Sequence, residues 1–146
     1  MLLEEKLPIK AITVMIQKEA ADRLSTPVGS RDSGAITVCT NYYAEVKHLF
    51  NVSRGSFMPP PNVDSTVIKL EIRPEPAVKV SDEKKFFRMV KAAFAQRRKT
   101  AVNSIASGMG LSKNQVAEAL QNSGLDVNVR AEKLTMEELA ELSENL

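Results

Sequence analysis

The chain has 146 residues, 43% of them hydrophobic and 26% charged, with a formal net charge of +2. That length holds one compact domain, or part of a larger one with a small appendage, and leaves no room for two full enzyme domains. The single cysteine, Cys39, and the lack of any Cys/His group at metal-ligand spacing exclude an internal disulfide and a structural zinc, and point to a reducing compartment.

In chain order, MLLEEKL reads as the end of a helix stopped by Pro8, and its acidic pair stands where a signal peptide needs basic residues. No apolar run approaches membrane-spanning length, so a soluble cytoplasmic protein without a membrane partner is expected. AITVMIQ (11–17) is apolar at nearly every position and suits a strand covered on both faces. KEAADRL is helical in composition, and STPVGSRDSG is a polar loop. AITVCTNYY is ambiguous, because its Ile, Thr and Val favour a strand but such preferences yield to context.

AEVKHLFNV is a second strand. TVIKLEIR (66–73) is the clearest one: Ile68, Leu70 and Ile72 alternate with Lys69, Glu71 and Arg73, as at the antiparallel margin of a sheet. PEPAVKVSD then reads as a linker. From Ser81 onward the pattern is helical, with Phe87, Val90 and Phe94 on one stripe, and capping boxes at Ser112/Gln115 and Thr135/Glu138. Three to five short helices behind a small sheet are predicted. The doubly covered strand at 11–17 has few partners in this chain, which suggests the second half of a larger α/β domain.

Two stretches could carry chemistry. Phe57 precedes Met58 and the three prolines 59–61, a stiff segment that can present the ring in one orientation. The ring could serve as a platform for a nucleobase, or plug the loop over the core. The second is FAQRRKT: between Lys84 and Ala117 there are eight Lys or Arg and no acid, and Arg97, Arg98 and Lys99 would fan over a helix to straddle a phosphate backbone or form a solvated face. His48 has no carboxylate or serine pattern and reads as structural. Gly108 and Gly110 lack the rest of a dinucleotide fingerprint, and Asp64 and Ser65 shape a turn. LSKNQVAEALQNSGL faintly resembles a helix-turn-helix, which leaves a DNA-binding reading open.

NYYAEVKHLFNVSRGSFMPPPNVDSTVIKLEIR, then FFRMVKAAFAQRRKT and GLDVNVRAEKLTMEELAEL, resemble the latter half of the KsgA/RsmA family of ribosomal RNA adenine dimethyltransferases from Met1 to Leu146. The resemblance implies the C-terminal part of a Rossmann-like, S-adenosylmethionine-dependent methyltransferase sheet (1–80), then a small all-α rRNA-binding domain (81–146). By it, 11–17 is the fifth strand, the region around 43–50 the sixth and 66–73 the seventh, antiparallel beside the fifth, while AITVCTNYY is helical. Family chemistry moves two methyl groups from S-adenosylmethionine to N6 of each of two adjacent adenosines of small-subunit (16S) rRNA. The partner is that rRNA or the pre-30S particle. The resemblance gives Phe57, with Pro59 and Pro61, the stacking of the extruded base. It gives Arg97, Arg98 and Lys99 the rRNA phosphates. The family's Gly-rich cofactor loop, ribose-binding acid and N-L-P-Y motif precede the point where this chain begins. The expectation is therefore a fragment with no complete catalytic set, no metal, an open edge on strand 11–17 and no activity alone. The alternative is a stand-alone RNA-binding or ribosome-assembly module.

Overall fold

A computed structural model describes residues 8–146; the helix end expected at 1–7 lies outside the described residues. The elements run β1 (Ala11–Gln17), α1 (Lys18–Ser25), α2 (Ala35–Tyr43), β2 (Ala44–Val52), β3 (Ser65–Ile72), α3 (Glu83–Phe94), α4 (Ala101–Met109), α5 (Lys113–Asn122) and α6 (Met136–Asn145), with short 3₁₀ turns at Arg54–Ser56 and Ala131–Lys133. The α/β organisation expected from the sequence is formed, with a small sheet first and helices after it.

The sheet order is β1-β3-β2, and both pairings are antiparallel. β3 therefore sits at the centre, not at the margin that its alternation suggested, although it does lie beside β1 as the family resemblance implied. Its buried positions are Thr66, Ile68 and Leu70, as alternation requires. On the inner face these meet Ile12, Val14 and Ile16 of β1, and Ala21 and Leu24 of α1 close that layer. The outer face is open among the described residues: Met15, opposite Val67, is 51% exposed, and Phe50, on the other side of Val67, is 55% exposed. Strand β1 is thus covered on one face only, against the expectation of two. A register shift between His48 and Phe50 bends β2, as a β-bulge does. Glu71 on the open face bonds Lys47 at 3.0 Å and Lys69 at 3.3 Å, and hydrogen bonding from Lys47 first, then Lys69, holds its carboxyl below the ordinary value.

AITVCTNYY is the helix α2, not a strand. Thr37 starts it by accepting the Gly34 N–H at 3.0 Å while donating to the Arg23 carbonyl at 2.9 Å, and Asn41 donates to the Leu24 carbonyl. The buried side of α2, with Val38, Cys39 and Tyr42, joins the larger of two apolar clusters together with α3 to α6. Tyr42, Tyr43, Phe86 and Phe87 make that junction aromatic, with ring centroids 4.9 to 5.7 Å apart, a separation at which edge and offset contacts add to burial.

In α3 the buried stripe is Phe86, Met89, Val90 and Ala93, whereas Phe87 and Phe94 are half-buried at its flank, so the stripe expected from the sequence lies one residue off centre. Both predicted capping boxes form: Ser112 and Gln115 exchange bonds of 3.0 and 3.1 Å, and Thr135 and Glu138 bonds of 3.0 and 3.2 Å. The segment LSKNQVAEALQNSGL holds the single helix α5 and its C-terminal turn at Gly124 (φ 72°), so it is not by itself a helix-turn-helix.

Candidate nucleic-acid interface

The loop 53–64 between β2 and β3 carries Phe57. Ser53 caps its opening turn by accepting the Gly55 N–H at 3.2 Å, and the chain then passes through Met58, a cis peptide to Pro59, and Pro60 and Pro61, all exposed. Phe57 is half-buried and, among the described residues, packs on neither apolar cluster. Met58 beside it is 98% exposed.

Asp64 ties the loop at both ends. Its carboxylate accepts the Arg54 N–H at 2.9 Å, and its carbonyl accepts the Lys18 N–H at 2.9 Å, which fixes the loop to the start of α1. The Arg54 guanidinium also donates to the Asn62 carbonyl at 3.2 Å. The turn-shaping role expected of Asp64 is the one it has. The tie leaves a hollow of about 390 Å³ between the loop and the β1–α1 junction, lined by Gln17, Lys18, Glu19, Asp22, Arg54 and Asn62 among others. The sequence reading missed Lys18, Arg54 and Asn62. The available signal was positional for Lys18: it follows a strand directly, and ligands of α/β sheets sit at the carboxyl ends of strands.

Arg97, Arg98 and Lys99 lie in a turn between α3 and α4, not on a helix as expected. Helix α3 stops at Phe94, the Lys99 N–H closes a turn on the Gln96 carbonyl at 3.0 Å, and Thr100 caps α4 by accepting the Asn103 N–H. All three cations are exposed. Arg97 leans back, with its Nη2 donating to the Arg31 carbonyl at 3.4 Å, beside a hollow of about 250 Å³ lined also by Glu19, Asp22 and Asp32. Among the described residues Arg98 and Lys99 form no ion pair, so their charge faces solvent. Glu19 and Asp22 line both hollows, so the proline loop and the basic turn border the same helix, α1. His48 is an exposed strand residue whose Nε2 lies 3.0 Å from Asn51 Oδ1, in keeping with a structural role.

The two elements thus offer an aromatic ring on a braced loop and a pair of outward cations, bordering one helix between them. Among the described residues no helix is long and apolar enough to cross a membrane.

Residues 1–146 match the family described as Ribosomal RNA adenine dimethylase. Ribosomal RNA small subunit methyltransferase A of Bacillus licheniformis is 46% identical over 148 residues, covering 99% of this chain and 51% of that protein. The same-named protein of Alkaliphilus oremlandii is 46% identical, covering 99% and 50%. The chain spans about half the length of the curated relatives it matches. Among solved structures, a dimethyladenosine transferase from Plasmodium falciparum superposes with a TM-score of 0.76 at 21% identity, covering 96% of this chain and 58% of that one. The 23S rRNA methyltransferase ErmE superposes with a TM-score of 0.66 at 24% identity, covering 99% and 57%. At these identities the likeness is one of fold.

Proposed function

The chain belongs to the ribosomal RNA adenine dimethylase family, and from that premise we propose that it is the target-recognition half of an enzyme that dimethylates N6 of adenosines in small-subunit (16S) rRNA. In this reading the substrate is the rRNA within an immature pre-30S particle in the cytoplasm. Residues 1–80 supply the sheet and the base platform, and residues 81–146 form the helical rRNA-binding domain.

The observation that carries the reading is Phe57: a half-exposed ring, outside both cores, on a loop braced at each end by Asp64. A base must leave its stack before its exocyclic nitrogen can be alkylated, and stacking on an aromatic ring returns roughly 1 to 3 kcal/mol of that cost. Pro59 and Pro61 keep the loop stiff, so little entropy is lost when the base arrives. Arg97, Arg98 and Lys99 hold the phosphate backbone of the same RNA, with Arg98 and Lys99 presented outward and Arg97 at the edge of the turn.

Among the described residues, the two hollows bordering α1 do not fit the family's methyl donor, S-adenosylmethionine. Neither hollow bordering α1 is lined by a glycine that would let a cofactor approach the backbone, and both carry carboxylates and cations on exposed side chains. The cofactor cradle is therefore assigned to residues outside these two hollows.

Retention of unmethylated 16S rRNA on filters across a salt series tests the reading. The chain is expected to bind, to lose affinity steeply as salt rises, and to weaken with Phe57→Ala. In the presence of radiolabelled S-adenosylmethionine it is expected to leave the rRNA unlabelled. Salt-independent or absent retention would overturn the recognition role, and label in the RNA would overturn the division of labour.

A further inference from the structure

The hollow at the base of the Phe57 loop has a chemistry that base stacking does not use. We propose that it is a subsite for one ribonucleotide flanking the stacked base, reading the ribose as well as the phosphate; the proposal rests on the RNA-binding reading above.

Its volume, about 390 Å³, falls within the range of small-molecule sites. The lining divides by chemistry. Lys18 and Arg54 bring positive charge suited to a phosphate, Gln17 and Asn62 bring carboxamides that both donate and accept, and Glu19 and Asp22 bring acceptors. An anion site would gain nothing from three carboxylates, Glu19, Asp22 and the Arg54-bound Asp64, and a cation site nothing from Lys18 and Arg54. A ribonucleotide presents both complements, an anionic phosphodiester and a 2′-hydroxyl that donates. Carboxylate recognition of ribose hydroxyls is an established use of Asp and Glu, and the 2′-hydroxyl is what separates RNA from DNA at a given site.

The placement agrees. The hollow opens at the carboxyl end of β1, and two of its lining residues, Arg54 and Asn62, flank Phe57 within one loop. Because Glu19 and Asp22 also line the Arg97 hollow, the site adjoins the basic turn along α1. Asp64 is engaged by the Arg54 N–H and acts as a positioning residue for the wall.

The test is fluorescence anisotropy of the full chain with a labelled single-stranded RNA octamer and a DNA octamer of the same sequence. The wild type is expected to prefer RNA. Combining Glu19→Gln with Asp22→Asn is expected to lower that preference roughly tenfold, the worth of a charge-assisted hydrogen bond. Lys18→Gln is expected to weaken RNA and DNA alike. All three side chains are exposed, and circular dichroism checks the fold of the variants. The wild type supplies a readout without substitution: the backbone amides of Lys18 and Asn62 should shift in NMR spectra with RNA and much less with DNA. An unchanged RNA preference in the double variant, or no shift at these amides with RNA, overturns the subsite and leaves the RNA-binding reading standing. Failure of the wild type to bind either octamer overturns that reading, and the subsite with it.

Discussion

Gly108 of α4 stands so close to Ala92 of α3 that a Cβ placed on the glycine would lie 2.5 Å from the alanine Cβ and 3.0 Å from its Cα. The same contact carries a hydrogen bond from the Ser104 hydroxyl to the Ala92 carbonyl. The atoms that would have to move belong to the α3 backbone and a short side chain, so the clash cannot be relieved by a rotamer change.

Gly108→Ala should therefore destabilise the chain. A helix interior gains about 1 kcal/mol from Gly to Ala, but overpacking against a fixed neighbour costs about 1 to 3 kcal/mol, and a contact this short sits at the upper end. A net loss of about 1 to 2 kcal/mol in urea unfolding is expected. Gly108→Ala at or above wild-type stability would mean that α3 and α4 do not hold this close contact in solution.

Asp64→Ala should loosen the proline loop without unfolding the protein. The exposed carboxylate carries the Arg54 N–H, while the Asp64 carbonyl bond to Lys18 survives the substitution. The expected outcome is faster hydrogen exchange at Arg54 and faster proteolysis within 53–64, with the melting temperature nearly unchanged. A large fall in melting temperature would mean that the loop contributes to global stability.

Arg98→Ala with Lys99→Ala should lower RNA affinity in a way that salt reveals. Each phosphate contact on single-stranded nucleic acid contributes roughly 0.7 to the slope of log K against log salt, so the pair should remove about 1.4. An unchanged slope would mean that neither cation meets a phosphate.

Ser81 and Glu144 provide a pH dependence. The Glu144 carboxylate accepts the Ser81 N–H at 2.8 Å and the Ser81 hydroxyl at 3.1 Å, joining the start of the helical part to its last helix. The backbone bond first, then the hydroxyl and nearby Lys85, holds the Glu144 carboxyl below its ordinary value of 4.5. A depressed folded value means that this contribution is complete above the unfolded value and fades as the pH falls through the folded one. Glu144→Gln should flatten that part of the acid limb of the stability curve. The Ser81 amide resonance should move over the same window in the wild type, and a resonance indifferent to acid would refute the coupling.

What could be read in the sequence followed from local pattern. β3 was legible because Ile68 and Leu70 alternate with Lys69 and Glu71, and the caps of α5 and α6 because a capping box is complete within four residues. α2 was not legible from its residues alone. Its β-branched Ile, Thr and Val each cost a helix only a few tenths of a kcal/mol, which burial of Val38 and Tyr42 easily outweighs. The basic turn was misplaced because Gln, Arg and Lys are good helix formers. The break depends on Thr100 starting a new helix, and on α4 turning back to Ala92. The Phe57 loop was visible as a motif, but the hollow below it was not, since Lys18 and Arg54 meet only through the fold.

The four rings of Tyr42, Tyr43, Phe86 and Phe87 give the molecule a fixed span. α2 runs directly into β2 and so to Phe57, while α3 runs directly into the turn with Arg98 and Lys99. One aromatic joint therefore sets the gap between the two arms, as the hinge of a locked calliper would. On the proposed reading, an RNA bound by both arms would present its base and its backbone at that spacing. Residues far from either arm would then set that distance.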